Sequence, residues 1–86
     1  MSEDEVSRYR EEIREVDHFL TSALNRRAEL VAELKRYKEA HGIPFVDQGR
    51  EAELIEERLR DNAGPVSDEG LRAFYVELLA LIKREV

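Results

Sequence analysis

Three cations stand where a soluble helix is expected to be apolar. From Val6 the inward heptad positions read Val6, Tyr9, Ile13, Val16, Leu20, Ala23, Arg27, Leu30, Leu34 and Tyr37, so Arg27 interrupts an otherwise apolar seam. The row beside it reads Arg10, Asp17, Leu24, Val31 and Lys38, which places two more cations at the border of the seam. A guanidinium or ammonium on such a face needs internal carboxylate partners or an anion from outside, because burying it unpaired costs several kcal/mol. Shortly afterwards comes Asp47-Gln48-Gly49-Arg50-Glu51, with a capping acid, a cation and a second acid in one helical turn. These residue types at this spacing suit a pocket for a small dianion. They include no Ser/His/Asp set and no metal-ligand cluster.

The elements that position these groups are legible from breaks and periodicity. No Pro or Gly falls between Val6 and Tyr37, and the first turn is acidic (Glu3, Asp4, Glu5), as the helix dipole favours. The spacing therefore predicts one very long N-terminal helix, ended by His41-Gly42-Ile43-Pro44. Asp47 reads as the N-cap of a second helix running to about Asp61, with Leu54, Ile55 and Leu59 inward. Asn62-Ala63-Gly64-Pro65 is the next break, and Ser67 or Asp68 caps a third helix whose Leu71, Phe74, Tyr75, Leu78, Leu79, Ile82 and Val86 recur at helical spacing. The fold class is all-α, with three helices in a single domain over residues 1–86.

Composition agrees. The chain has 86 residues, of which 42% are apolar and 40% charged, and its aromatic content of 7% suits helices better than a sheet or a disordered tail. A net charge of −6, with Arg and Lys interleaved among Glu, argues against a nucleic-acid partner. No run reaches membrane-spanning length and the start lacks a basic and apolar leader, so no membrane is expected and a cytoplasmic location is the default. The absence of Cys excludes disulfides and thiol chemistry. A helix of about 35 residues extends roughly 50 Å, more than two helices of about 15 residues can cover. Its seam is therefore expected to pair with a second copy in an intertwined homodimer.

Within one chain, Arg27 and Lys38 lie eleven residues apart, about three turns, so they point the same way and can converge on one small ligand. Arg10 is too far along the axis to join Lys38 in its own chain and is expected to reach the partner's site in an antiparallel dimer. Arg50 lies in the first turn of the second helix, where the dipole also favours an anion. The bland alternatives are an Arg27 ion pair with Glu29, an Arg50 pair with Glu53, and an Asp47 that only caps.

The ordered set Arg10, Ile13, Val16, Asp17, Leu20, Arg27, Leu30, Leu34, Lys38, Pro44, Asp47, Arg50, Glu51 and Leu54, at these spacings, resembles the all-helical (AroQ class) chorismate mutases. The likeness covers about half the chain closely, with the third helix matching in its apolar pattern and in Asn62-x-Gly64-Pro65. It implies a Claisen rearrangement of chorismate to prephenate, a pericyclic step of aromatic amino acid biosynthesis that requires no nucleophile, metal or redox cofactor. By the family pattern, Arg10 from the partner chain and Arg27 hold the two carboxylates. Lys38 donates to the breaking ether oxygen and a carboxylate, Asp47 and the backbone near Arg50 meet the ring hydroxyl with Glu51 beside them, and Arg50 completes the cationic wall. The family's polar pair on the third helix aligns with Ile82 and Val86 here, which leaves Lys38 as the side-chain donor to the ether oxygen; a one-residue slip brings Glu85 into that slot. Lys35, where many members carry a small residue, falls on the outward side of the heptad and is expected to matter little.

The resemblance also admits a mutase for the 4-amino analogue of chorismate, because Asp47 and Glu51 can accept an ammonium, and an isochorismate pyruvate lyase. Further readings are a non-catalytic helical dimer serving as an interaction or regulatory module, and a weak mutase enhanced by another enzyme of the aromatic pathway.

Overall fold

A computed structural model describes residues 2–86 and contains three helices: α1 (Glu3–Ala40), α2 (Gln48–Arg60) and α3 (Asp68–Glu85). The all-helical expectation holds, and each boundary falls at a chemically explicable place. The chain divides into two compact units, one ending at Leu30 and one spanning Val31–Val86.

In the first unit, α1 starts with Glu3, Asp4 and Glu5 in its first turn, and the Ser2 hydroxyl accepts from the Glu5 N–H at 3.2 Å. Its exposed side carries ion pairs one turn apart, Glu11 with Arg14 at 2.6 Å and Arg26 with Glu29 at 3.1 Å. Such surface pairs contribute only about 0.2–0.5 kcal/mol each. No α1 residue is buried: Tyr9, Ile13, Val16, Leu20, Leu30, Leu34 and Tyr37 are all 45–59% exposed. Covering these seven is worth on the order of 5–10 kcal/mol, so helix propensity and surface pairs alone do not account for so long an apolar row.

In the second unit, α1 ends in a Schellman motif. Gly42 adopts φ +67°, a conformation costly for a side-chain-bearing residue, while the Ile43 N–H donates to the Lys38 carbonyl at 2.8 Å and the Gly42 N–H to Glu39 at 3.4 Å. Asp47 caps α2 as expected, its side chain accepting from the Arg50 N–H. Between α2 and α3, Asn62 organises the turn: its amide donates to the Val66 carbonyl at 2.8 Å and to Asp68 at 2.9 Å, while its oxygen accepts from the Gly64 N–H at 3.1 Å. Ser67 then caps α3 by accepting from the Gly70 N–H at 3.0 Å.

Cross-links between α2 and α3 give their direction. Glu51 near the start of α2 pairs with Lys83 near the end of α3, and Glu56 farther along pairs with Arg72 near the start of α3, so the two helices run antiparallel. Ile55 and Ile82 form the buried contact, 9% and 2% exposed. Leu54, Leu59, Leu71, Tyr75, Leu78 and Leu79 flank it half-buried. Phe74, expected inward by period, stays 48% exposed, with its ring edge-on to Tyr75.

Candidate active site

The Schellman turn fixes where Lys38 sits. As the residue whose carbonyl receives the Ile43 N–H, it lies in the last turn of α1 beside the connection to α2. Its half-buried side chain folds along that connection, and Nζ donates to the Phe45 carbonyl at 3.2 Å. Among the described residues no carboxylate pairs with it. A neutral carbonyl satisfies one of three ammonium donors and leaves the charge uncompensated.

Lys38, Ile43, Pro44, Val46, Asp47 and Gln48 line an open depression of about 500 Å³, a volume suited to a small organic acid. The ammonium and the α2 cap thus share one concavity. Asp47 has extended backbone (φ −129°, ψ 98°), and its Oδ1 takes the Arg50 N–H at 3.1 Å. Its other carboxylate oxygen carries no hydrogen bond among the described residues, so capping and ligand contact are compatible.

Arg50 and Glu51 diverge from one another. Arg50 Nη1 lies 3.3 Å from Glu57 and 3.5 Å from Glu53. Hydrogen bonding to Glu57, then the charges of both acids, raises its pKa above the ordinary arginine value. The pairing with Glu53 is the bland alternative, and Glu57 reinforces it; the guanidinium faces along α2 and does not line the depression. Glu51 crosses instead to α3, its carboxylate oxygens 2.9 and 3.3 Å from Lys83 Nζ. Lys83 carried no signal in the sequence beyond being a cation in a last helical turn.

On α3, Ile82 is a core residue, so its side chain serves the contact with α2 and offers no surface to a ligand. Val86 is half-buried, and its backbone oxygen accepts from Lys35 Nζ at 2.9 Å. Glu85 is exposed. Lys35 itself departs from expectation. The outward heptad position leaves its long stem free to fold over the α1–α2 connection, where Nζ lies 5.5 Å from the centre of the Phe45 ring.

In the first unit, Arg10 is exposed and Arg27 is half-buried. The Arg27–Glu29 pair does not form, since residues two apart on a helix point to different sides, and Glu29 pairs with Arg26 instead. Among the described residues neither Arg10 nor Arg27 has a carboxylate partner. No group of three or more acids or histidines with metal-binding geometry occurs among the described residues, and no helix is long and apolar enough to cross a membrane.

Residues 9–85 match the family described as chorismate mutase type II. Over 85 residues the chain is 33% identical to a 4-amino-4-deoxychorismate mutase of Streptomyces venezuelae, an alignment covering 98% of this chain and 79% of that protein. A chorismate mutase structure from Thermus thermophilus superposes with a TM-score of 0.88 at 28% identity, covering 91% of this chain and 98% of the other.

Proposed function

The chain belongs to the type II chorismate mutase family, a family of isomerases, and on that premise we propose that it rearranges chorismate to prephenate in a cationic pocket shared between two copies. The observation that carries this reading is Lys38, an ammonium without a carboxylate partner that lines a depression of about 500 Å³ together with Asp47. The rearrangement is unimolecular and pericyclic, so the protein's work is to hold a compact conformer and to stabilise charge developing on the ether oxygen. Lys38 donates to that oxygen and to a carboxylate. Arg27, and Arg10 from the second copy, hold the substrate's carboxylates. Asp47 accepts from the ring hydroxyl, with Glu51 close by. Arg50 contributes its backbone N–H to the Asp47 cap and keeps its guanidinium on Glu57 and Glu53.

The homodimer is supported by the uncovered apolar row of α1, a surface too long and regular for a solvated helix face. Pairing two such rows end to end would cover it and bring Arg10 of one copy toward the other's pocket.

A second reading is favoured by the 33% identical relative named for the 4-amino substrate. Purified protein given each compound separately tests both. Loss of chorismate absorbance with prephenate as product, abolished in Arg27→Ala and Lys38→Ala, supports the first; turnover of the amino compound alone supports the second. Turnover of neither sinks both.

A further inference from the structure

Lys35 and Lys38 are separated by one helical turn, yet their ammonium groups go to different sides of one residue, Phe45. Lys38 Nζ donates to the Phe45 carbonyl at 3.2 Å. Lys35 Nζ lies 5.5 Å from the centre of the Phe45 ring and donates to the backbone oxygen of Val86 at 2.9 Å. We propose that Lys35 is a positioning residue for Lys38, acting through Phe45, and that it ties the end of α3 to the pocket wall.

The connection between α1 and α2 needs such a hold. Ile43 is fixed by its N–H to the Lys38 carbonyl, and Asp47 by its cap on α2. Between them, Pro44 has no N–H to donate, and the backbone N–H groups of Phe45 and Val46 make no hydrogen bond to backbone among the described residues. Yet Pro44 and Val46 line the depression, and the Phe45 carbonyl sets where the Lys38 ammonium rests. Among the described residues the polar contacts of Phe45 are a cation on its ring, within the roughly 6 Å at which that attraction is effective, and Lys38 on its carbonyl.

The arrangement also separates two like charges. A second ammonium in the depression would compete with Lys38 for the same anion. The Val86 oxygen, at the C-terminal end of α3 where a cation is favoured, draws Lys35 away, and Lys38 lines the depression while Lys35 does not.

This inference rests on reading Lys38 as the donor to a bound substrate, and its test separates the two. Lys35→Met keeps most of the stem without the charge; Lys35→Arg restores the charge. With turnover measured beside hydrogen exchange of the Ile43 N–H, the one amide of the connection held by a backbone bond among the described residues, Lys35→Met is expected to lower kcat about tenfold with KM within about twofold, since misplaced donors cost rate more than affinity. Lys35→Arg recovers most of that loss, and the Ile43 N–H exchanges several-fold faster in Lys35→Met than in the unaltered protein. In a Lys38→Ala background, Lys35→Met costs no more than about twofold further, because a residue acting through Lys38 has nothing left to position.

An unchanged kcat with unchanged exchange overturns the proposal, and so does an equal loss in the Lys38→Ala background or a failure of Arg to rescue. If the unaltered protein turns over neither substrate, the functional reading fails. Exchange then decides the hold of Lys35 on the connection: faster in Lys35→Met supports it, unchanged overturns it.

Discussion

Glu51 and Lys83 face each other across the α2–α3 pair, with Nζ 2.9 Å from one carboxylate oxygen and 3.3 Å from the other. An acid expected beside the ring substituent of the substrate is thus already neutralised by this chain's own cation. If the ring substituent lies there as proposed, an ammonium would meet Lys83 at close range, whereas a neutral hydroxyl would not be repelled. Lys83→Met is expected to raise kcat/KM for the 4-amino substrate relative to chorismate by about tenfold, equivalent to about 1.4 kcal/mol. Competition between the two substrates reads the ratio directly, and an unmoved ratio removes Lys83 from specificity.

Lys38 makes one hydrogen bond, to a neutral carbonyl, so its replacement costs the fold that bond alone while removing the donor proposed to act on the ether oxygen. Lys38→Ala is expected to lower kcat by about 10²–10³. Its urea midpoint should correspond to a change of at most about 1.5–3 kcal/mol, the range for a hydrogen bond to a charged group. A comparable loss of stability and activity would make Lys38 a structural residue.

If Arg10 serves the partner's pocket, two inactive variants complement one another. Arg10→Ala and Lys38→Ala homodimers, mixed through an unfolding and refolding step, should recover about a quarter of normal turnover. Half of the random dimers are mixed, and each of these contains one complete and one doubly defective site. No recovery places Arg10 in its own chain's site or on the surface.

Asp47 has separable duties. Asp47→Ala removes the cap on the Arg50 N–H and is expected to cost about 1 kcal/mol in urea unfolding, whereas Asp47→Asn caps nearly as well and should stay within about 0.5 kcal/mol. Both lose the carboxylate that faces the depression, so both should lose activity. Full activity in Asp47→Asn would leave Asp47 as a cap alone.

Whatever depended on neighbouring residues could be read from the chain itself. Gly42 and Pro44 end α1, and Asp47 and Ser67 open the next two helices, because capping and left-handed turns are satisfied within a few residues. The cation at Arg27 stood out because its periodic neighbours are apolar. Lys35 did not, because a heptad position describes where a side chain leaves the helix and not where a long stem ends. Lys83 pairs with an acid 32 residues away, a relation set by how α2 and α3 pack. Arg50 offered two plausible destinations, and only the course of α2 assigns it to Glu57. Ile82 fell on the inner face of α3 by spacing and at the family's polar pair by resemblance; at 2% exposed it belongs to the core.

The resting partner of Lys38 has a consequence for ligand exchange. Had a carboxylate from the chain held this ammonium, every incoming acid would first have to displace a charged rival, and the site would carry its own tethered inhibitor. A backbone carbonyl is the weaker acceptor for an ammonium, since it carries only a partial charge and leaves the net charge of Lys38 uncompensated. On the role proposed for Lys38, the pocket would stay primed for anions between turnovers, and simple buffer acids such as acetate or citrate are expected to compete with the substrate.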